Sequence, residues 1–301
     1  MKLHLFTSIT RLYLLAILFS ACQAVDPEPV SEAYLNEVES WRDGRIADLT
    51  SPTGWLTLSG LFWLKEGDNY FGGAAQNELI FPGEEIDEIG RIVLEGDSVW
   101  LEVSAGLPVK VDGQVIEKIT LSGVENPVIL EYGSLSWFML QRGGKYGIRL
   151  RDSLHEARAH FAAIEHYPVH PDGKVAAKLV KSGKPDTLLM KNVLDMEIPY
   201  PTEGRLVFDW EGEERSISVL DGGEQAYFLI FADETTGSET YPAGRYLYTP
   251  KADENGMTYI DFNKAYNPPC AFTEFATCLL PPPENRITAA IRFGEKDYGE
   301  H

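Results

Sequence analysis

Short runs in which apolar and polar residues alternate dominate the chain after residue 54. They occur at residues 99–103, 135–141 and 146–150, and the last two flank Gly143-Gly144. Alternation with a period of two is typical of strands that bury one face, and paired glycines between two such runs are typical of a hairpin turn. The pattern predicts an all-β first half of about 100 residues, the size of one sandwich.

The same pattern resumes after a connecting stretch at residues 152–169. The apolar runs of the second half lie at residues 175–180, 186–193, 205–210, 216–220, 225–231, 246–248 and 257–262. Repeated short strands separated by turns, without helical patterns between them, argue against a long parallel sheet. We therefore predict a mainly β fold with two sandwich-like or barrel-like halves in tandem, at residues 31–152 and 153–301.

One segment before the strands has helical spacing instead. Its regularly spaced positions are Tyr34, Leu35, Val38, Trp41, Arg45 and Leu49. Ser31 precedes this run, and serine is favoured at the N-terminus of a helix. The spacing predicts a helix from residue 31 to about residue 49 that lies across a sheet.

The N-terminus has the layout of an export signal. A basic start leads into an apolar run, residues 12–19, which is too short to span a bilayer. The sequence FSAC follows and ends at Cys22; small residues before a cysteine resemble a lipobox, the site where bacterial lipoproteins are cleaved and lipidated. An ordinary secretory signal, cleaved after Ala21 or Ala24, is the alternative.

These features predict how the N-terminal 30 residues are divided and where the protein is located in the cell. A signal peptide would occupy residues 1–21, Cys22 would carry the lipid, and residues 22–30 would form a tether. Gln23 in the following position favours sorting to an outer membrane. We expect a lipid-anchored, extracytoplasmic protein of the cell envelope, at an outer membrane or the cell surface, that contacts the membrane only through its anchor.

The charge of the chain narrows the range of partners. The 301 residues include 26 Lys and Arg and 46 Asp and Glu, for a net charge of −20. Removal of residues 1–21 takes away Lys2 and Arg11 and leaves 24 basic against 46 acidic residues, or −22. Nucleic acid needs clustered basic residues, and anionic membrane surfaces repel so acidic a protein, so we expect neither as a partner.

The stretch of residues 261–286, called the signature segment below, has a composition unlike that of the strands. It contains Cys270, Cys278 and five prolines, at positions 268–269 and 281–283. Proline fixes φ and lacks an N–H, so the segment forms neither a helix nor an interior strand. Rigid loops carry binding or catalysis more often than they carry stability, which makes this segment the first candidate for a site.

A second polar loop, residues 233–245, is its natural partner, because two loops on one β scaffold tend to meet at one rim. The candidate ligand-binding residues of the two loops are Asp233, Thr235, Tyr241, Arg245, Asp261, Asn263, Tyr266, Asn267, Asn285 and Arg286. The structural alternative is that Asp233, Thr235 and Arg245 only close turns and form a salt bridge.

Several stretches of the chain together resemble a known family. They are YNPPCAF from Tyr266, TCLLPPPENR from Thr277, IRFGEK from Ile291, WLTLSGLFWLKEGDNYFG from Trp55, GIRLRD from Gly147 and FADETTGSETYPAGRYL from Phe231. The chain resembles the bacterial and archaeal domain of unknown function 1684, from about Trp41 onward, with Leu279 as a departure from the family pattern. The resemblance implies a kind of protein and no activity.

Three interpretations of Cys270 and Cys278 are open, and we favour a disulfide, the simplest one in an extracytoplasmic chain. A zinc site lacks a Cys-x-x-Cys pair, and a nucleophilic cysteine lacks a nearby histidine in the sequence. His155 and His160 are five residues apart, which places them on opposite faces of a helix rather than on one. We predict no metal site and no cofactor.

Two functions follow from the candidate residues, with a purely structural envelope protein as the third. The first is binding of a small polar molecule at the loop rim. The second is an extracytoplasmic hydrolase-type enzyme, with Asp261 as general base, Asn263 and Asn267 holding an oxyanion, and Tyr241 or Tyr266 relaying a proton. The strand rhythm also resembles forkhead-associated phosphopeptide modules, but the serine and histidine loop of those modules is missing.

The most specific prediction joins Arg245, Asp261 and Asn263 in one ligand site. Arg245 begins one strand, and the other two residues alternate about Phe262 at the end of another, so both would point to one face. The alternative is that Arg245 pairs with Asp261 and only holds the loop in place.

Overall fold

The computed structural model describes residues 30–83, 86–122 and 126–299 of the chain. It is mainly β, with 44% strand and 15% helix, and its sheets are largely antiparallel. The predicted fold class and the predicted N-terminal helix are both confirmed. Within the described residues no sheet closes into a barrel. The signal peptide, Cys22 and all but the last residue of the tether lie outside these residues.

The N-terminal helix α1 spans Glu32–Thr50, close to the predicted range. Ser31 caps it, because its side-chain oxygen accepts a hydrogen bond from Tyr34 N at 3.3 Å. Val38 and Leu49 are buried on its inner side. No helix in the described part of the chain is long and apolar enough to cross a bilayer.

The described residues of the first half form eleven short strands. They are β1 (Leu58–Trp63), β2 (Gly67–Gly72), β3 (Leu79–Ile80), β4 (Gly90–Glu95), β5 (Ser98–Val103), β6 (Lys110–Val111), β7 (Gln114–Val115), β8 (Lys118–Thr120), β9 (Leu130–Tyr132), β10 (Leu135–Arg142) and β11 (Lys145–Asp152). They form a six-stranded sheet in the order β1-β11-β10-β9-β6-β7 and a five-stranded sheet in the order β3-β2-β4-β5-β8. Alternate residues of the strands point into one core, in which Trp137 touches Phe71 and Phe81.

The connector between the halves holds one short helix, α2 (Glu156–Ala159). The second half follows with β12 (Lys174–Lys191), β13 (Glu197–Trp210), β14 (Glu213–Ser218), β15 (Leu220–Asp221), β16 (Ala226–Phe231), β17 (Arg245–Pro250) and β18 (Met257–Asp261). These strands form two sheets, in the orders β14-β13-β12-β18 and β15-β16-β17. The two apolar runs predicted as separate strands at 175–180 and 186–193 largely belong to one strand, β12, with an irregularity in its pairing between Lys181 and Asp186.

The second half has a separate hydrophobic core around Phe262. Its ring lies 5.2 Å from that of Trp210 and 5.5 Å from that of Phe231, centroid to centroid. Phe262 is fully buried, but the predicted alternation does not hold, because Asp261 and Asn263 are buried as well and Phe262 begins a 3-10 turn after β18. Each half thus buries its own set of side chains, and the domain boundary between residues 152 and 153 stays a prediction.

Candidate functional site

A pocket of about 530 Å³ opens where α1 meets the second half of the chain. It is lined by Trp41, Gly44, Arg45, Asp48, Leu49, Trp55, Phe228, Tyr246, Tyr248, Tyr266 and Pro269. Six of these eleven residues are aromatic, so we call it the aromatic pocket. Apolar clefts of roughly 300–1,000 Å³ with a few polar groups are typical sites for small molecules.

Helix α1 forms one wall of the aromatic pocket. Trp41, Arg45 and Asp48 recur at intervals of three and four residues, which places them on one face of the helix. Gly44 lies among them, and a Cβ added at this glycine would meet no atom within 4 Å. The missing side chain therefore leaves open space at the wall, although glycine inside a helix costs about 0.5–1 kcal/mol relative to alanine.

The opposite wall joins the signature segment to β17. Tyr266 N donates to Tyr246 O at 2.9 Å, and Tyr246 N donates to Tyr266 O at 2.8 Å. This pairing holds the Tyr266 ring nearly parallel to that of Tyr248, with an interplanar angle of 11° and centroids 6.4 Å apart. Phe228, on the paired strand β16, lies 4.9 Å from Tyr248 and extends the aromatic surface.

Arg45 supplies a cation to this aromatic surface. Its Nε donates to Glu295 at 2.6 Å, its Nη2 donates to Asn267 O at 2.7 Å, and its Cζ lies 4.4 Å from the Tyr266 centroid. The Glu295 side chain is fully buried and matches the charge of Arg45. Nη1 of Arg45 has no hydrogen-bond partner among the described residues, so it remains available to a ligand in the pocket.

The tyrosines of the pocket are neutral. Burial raises the pKa of Tyr246 and Tyr248, and raises the pKa of Tyr266 well above its ordinary value. A phenol with a raised pKa stays protonated near neutral pH, so it can both donate and accept a hydrogen bond. Tyr246 Oη donates a hydrogen bond to Leu279 O at 2.9 Å. The phenols that could turn to a ligand are those of Tyr248 and Tyr266, whose side chains are within hydrogen-bonding reach of each other.

A disulfide between Cys270 and Cys278 closes the loop beside Pro269 and Tyr266, as predicted. The end of this loop is bonded to β12 and the turn after it, because Val193 N donates to Cys278 O at 3.0 Å and Leu280 N donates to Lys191 O at 2.7 Å. The prolines and the disulfide together fix the part of the signature segment that lines the pocket.

The comparison with protein families gives a match over part of the chain. Residues 159–296 match the model of the family described as "Protein of unknown function (DUF1684)". The chain resembles the DUF1684 family. The resemblance predicted from the sequence is confirmed over this range, which includes both polar loops but not α1 or the first β half. No curated protein matches the chain.

Similar solved structures add no function. A solution NMR structure of an uncharacterised protein of Haloarcula marismortui is 29% identical, covers 48% of this chain and 82% of that one, and has a TM-score of 0.41. The FhaA forkhead-associated domain, in complex with the intracellular domain of Rv3910, is 16% identical, covers 30% of this chain and 97% of that one, and has a TM-score of 0.22. TM-scores this low carry no structural argument.

Inside the DUF1684 match, the predicted rim residue Arg245 is fully buried and forms an internal ion pair. Its Nη2 donates to Asp233 Oδ2 at 2.6 Å and to Ile291 O at 2.8 Å, and its Nη1 donates to Phe293 O. Thr235 is fully buried and donates to the same Asp233 at 2.6 Å. The geometry of Asp233, Thr235 and Arg245 matches the alternative stated above, in which they close turns and form a salt bridge. All the hydrogen bonds given for them above go to other groups within the protein.

The predicted meeting of Arg245 with Asp261 does not occur. Asp261 accepts instead from Tyr34 Oη at 2.7 Å, and Asn263 donates to Tyr34 Oη at 2.9 Å and to His170 O at 2.8 Å. Asp261 and Asn263 lie together because Asp261 ends β18 and caps the 3-10 turn Phe262–Lys264, its side chain accepting from Asn263 N, and not through alternation along a strand. Both are bonded to Tyr34 of α1. The sequence could not show that a tyrosine 227 residues away would occupy the Asp261 carboxylate.

The remaining candidates of the DUF1684 match divide between interior and surface. Asn285 is buried and donates to Ser218 O at 3.0 Å and Ile230 O at 2.9 Å, while Asn267 is buried and donates to Lys296 O at 2.7 Å. Tyr241 is half-buried and Arg286 is exposed. Of the ten predicted residues, only Tyr266 lines the aromatic pocket.

Sequence reasoning missed most of the pocket because it looked for polar side chains on loops. Trp41 and Arg45 were identified only as positions of a helix, and Tyr246 and Tyr248 only as part of a strand. A usable signal exists: the two tyrosines are two residues apart on one strand, which puts both rings on one face. No group of three or more His, Cys, Asp or Glu in the described part of the chain could hold a metal ion.

Proposed function

We propose that the protein binds a small uncharged molecule that carries hydroxyl groups and a flat apolar face, as saccharides do. The observation that supports this most directly is the pair of nearly parallel Tyr248 and Tyr266 rings beside the free Nη1 of Arg45. Flat aromatic rings bind flat apolar surfaces of a ligand, and a few convergent polar groups fix its orientation.

The charges of the pocket favour a neutral ligand over an ionic one. Arg45 is already matched by Glu295, and the protein as a whole is strongly acidic, so an anion gains little and is repelled at long range. The polar groups include a guanidinium donor, the exposed carboxylate of Asp48 and neutral phenols. Hydroxyl groups suit this mixture because each can donate and accept.

The binding is proposed to take place in the cell envelope. The basis is the predicted lipidation of Cys22, which would tether the folded part to a membrane through residues 22–30. A small polar molecule is then the proposed partner, with no nucleic acid involved and with membrane contact only through the lipid anchor.

The proposal is tested by thermal unfolding and calorimetry of the full chain with a panel of neutral mono- and disaccharides and a second panel of neutral planar aromatic compounds. A ligand of the folded state raises the unfolding free energy by about 2.7 kcal/mol at 100 times its Kd. At least one saccharide should give a saturable shift. No shift with any member of either panel would contradict the proposal.

Variants of the pocket locate the binding. Gly44→Leu should abolish it, because the new side chain enters the open space, whereas Gly44→Ala adds only a Cβ and should retain it. Tyr248→Ala should weaken binding roughly tenfold by removing one ring, which is about 1.4 kcal/mol. Tyr70→Ala, a half-buried tyrosine outside the pocket, is the matched control and should bind as the wild type does.

The hydrolase alternative has no supporting contact in the described residues. Its general base, Asp261, is 2% exposed and is bonded to Tyr34, and its oxyanion donors Asn263 and Asn267 are fully buried and bonded to main-chain carbonyls. None of these three lines the aromatic pocket.

A further inference from the structure

Three arginines without carboxylate partners lie on the outer face of the first half's six-stranded sheet. Arg149 and Arg151 are two residues apart on β11 and so share a face, while Ile148 and Leu150, which alternate with them, point into the first core. Arg142, on the paired strand β10, lies opposite Lys145 and so stands further along the same face, where its charge still acts on Arg149. In the described part of the chain none of the three is within ion-pair distance of an Asp or Glu, although the protein is strongly acidic.

Arg149 is the buried member of this arginine cluster. It is 5% exposed, its Nε has no hydrogen-bond partner, and its Nη2 reaches only Phe275 O and Thr277 Oγ1, each at 3.4 Å. Hydrogen bonds of this kind are ordinarily 2.7–3.2 Å long, so both contacts are weak. A buried cation with weak, neutral partners is costly, and an anion beside it would offset that cost.

The other two arginines make the cluster accessible. Arg151 and Arg142 are half-buried, and the Arg151 guanidinium lies 4.9 Å from the centroid of the Phe138 ring, which supports its stem without neutralising its charge. The Nε of Arg151 also lacks a partner. Burial, and then the like charges of Arg142 and Arg151, lower the pKa of Arg149 to about 10, so both neighbouring charges act on Arg149.

We propose that the arginine cluster binds a phosphate-type oxyanion between the outer face of β10 and β11 and the part of the signature segment at residues 275–277. Guanidinium groups suit this chemistry because their planar fork matches two oxygens of a phosphate. The site is distinct from the aromatic pocket and stands whether or not that pocket binds a saccharide. Trp55 lies between them, since it lines the pocket and its ring centroid is 5.6 Å from Cζ of Arg149.

Calorimetric titration of the full chain with inorganic phosphate, at an ionic strength held constant with sodium chloride, tests this site. Saturable binding of one phosphate is expected, and its affinity should fall roughly tenfold in Arg151→Gln, which removes one charge-assisted contact worth about one decade. Arg142→Gln removes a charge that lies further along the face and should weaken binding by a smaller factor. Arg91→Gln is the matched control, because Arg91 is surface-exposed and already paired with Glu102 and Asp68.

The variants keep the test decisive even if Arg149→Gln fails to fold, because Arg142 and Arg151 are half-buried. Absence of saturable phosphate binding, or equal losses of affinity in Arg91→Gln and Arg151→Gln, would overturn the proposal.

A second experiment, with vesicles of phosphatidylcholine with and without phosphatidic acid, identifies the source of the phosphate. Binding to inorganic phosphate alone identifies a free anion, binding to both admits a lipid headgroup, and binding to vesicles alone overturns the site.

Discussion

Arg245 places all of its hydrogen bonds inside the second half of the molecule, where its side chain and that of Asp233 are fully buried. Arg245→Lys should therefore lower the unfolding free energy by roughly 3 kcal/mol, because a lysine cannot reach the carboxylate and two carbonyls together and leaves a buried charge poorly paired. Urea unfolding measures the loss. Arg292→Lys, in an exposed pair with Glu239, is the control and should change stability by less than about 1 kcal/mol. An unchanged midpoint for Arg245→Lys would contradict the structural role.

His166 makes stability depend on pH. Burial, and then the positive charge of Arg42, lower the pKa of His166 to about 4, against an unfolded value of 6.5. Between these values the unfolded chain binds a proton that the folded chain does not, so this contribution is complete above pH 6.5 and is lost as the pH falls toward 4. Between pH 7 and pH 4.5 it amounts to roughly 2–3 kcal/mol.

The variant His166→Asn isolates this effect from the titration of carboxylates. Unfolding free energies are compared for the variant and the wild type across that pH range, and the wild type should lose the larger amount on acidification. The same pH dependence in both proteins would show that His166 does not carry the effect.

At the scale of elements, the signature segment depends on its disulfide. Replacement of Cys270 and Cys278 by serine should lower the unfolding free energy by about 2–3 kcal/mol, because the unfolded chain regains the entropy of an open loop. The variant should also bind the pocket ligand more weakly, since Tyr266 and Pro269 lose part of their support. Calorimetric unfolding of the variant and of reduced wild type, each compared with the oxidised wild type, measures this loss. Full stability after reduction would contradict it.

Helix α1 contains Gly44 at a position where alanine should make the protein more stable. Gly44 has helical neighbours on both sides and open space beside it, so Gly44→Ala should raise the unfolding free energy by about 0.5–1 kcal/mol. Thermal unfolding checks the sign. A decrease would mean that the backbone at residue 44 tolerates no side chain, and Gly44→Leu would then no longer report on the pocket.

The elements were more predictable from the sequence than the site was. Helical spacing and Ser31 located α1, and alternation located most strands, because these signals are local. The sequence did not show that two apolar runs form the single strand β12. They do so because both pair with β13, on either side of the irregularity between Lys181 and Asp186. Loop residues such as Asn285 looked like ligand donors because a sequence does not show whether a polar side chain faces solvent or a distant carbonyl.

At the scale of the whole molecule, the predicted location in the cell envelope depends on lipidation of a single residue, Cys22, and can be tested there. Mass spectrometry of the mature protein should find a diacylated N-terminal Cys22, and Cys22→Ser should release the protein from the membrane fraction. An unmodified N-terminus at Cys22, Gln23 or Val25 would contradict lipidation.

The long-range contacts of α1 also constrain the order in which parts of the structure can form during synthesis. The ion pair of Arg45 with Glu295 spans 250 residues, and the hydrogen bonds of Tyr34 with Asp261 and Asn263 span 227 and 229. A ribosome releases α1 before it releases β17 and Tyr266, so the helical wall of the aromatic pocket can meet the opposite wall only after those residues have been made. A chain that stops before β17 contains every strand of the first half and lacks the pocket wall formed by Tyr246, Tyr248 and Tyr266. Ligand binding therefore reports that the chain has been made at least as far as Pro269 and has closed against α1.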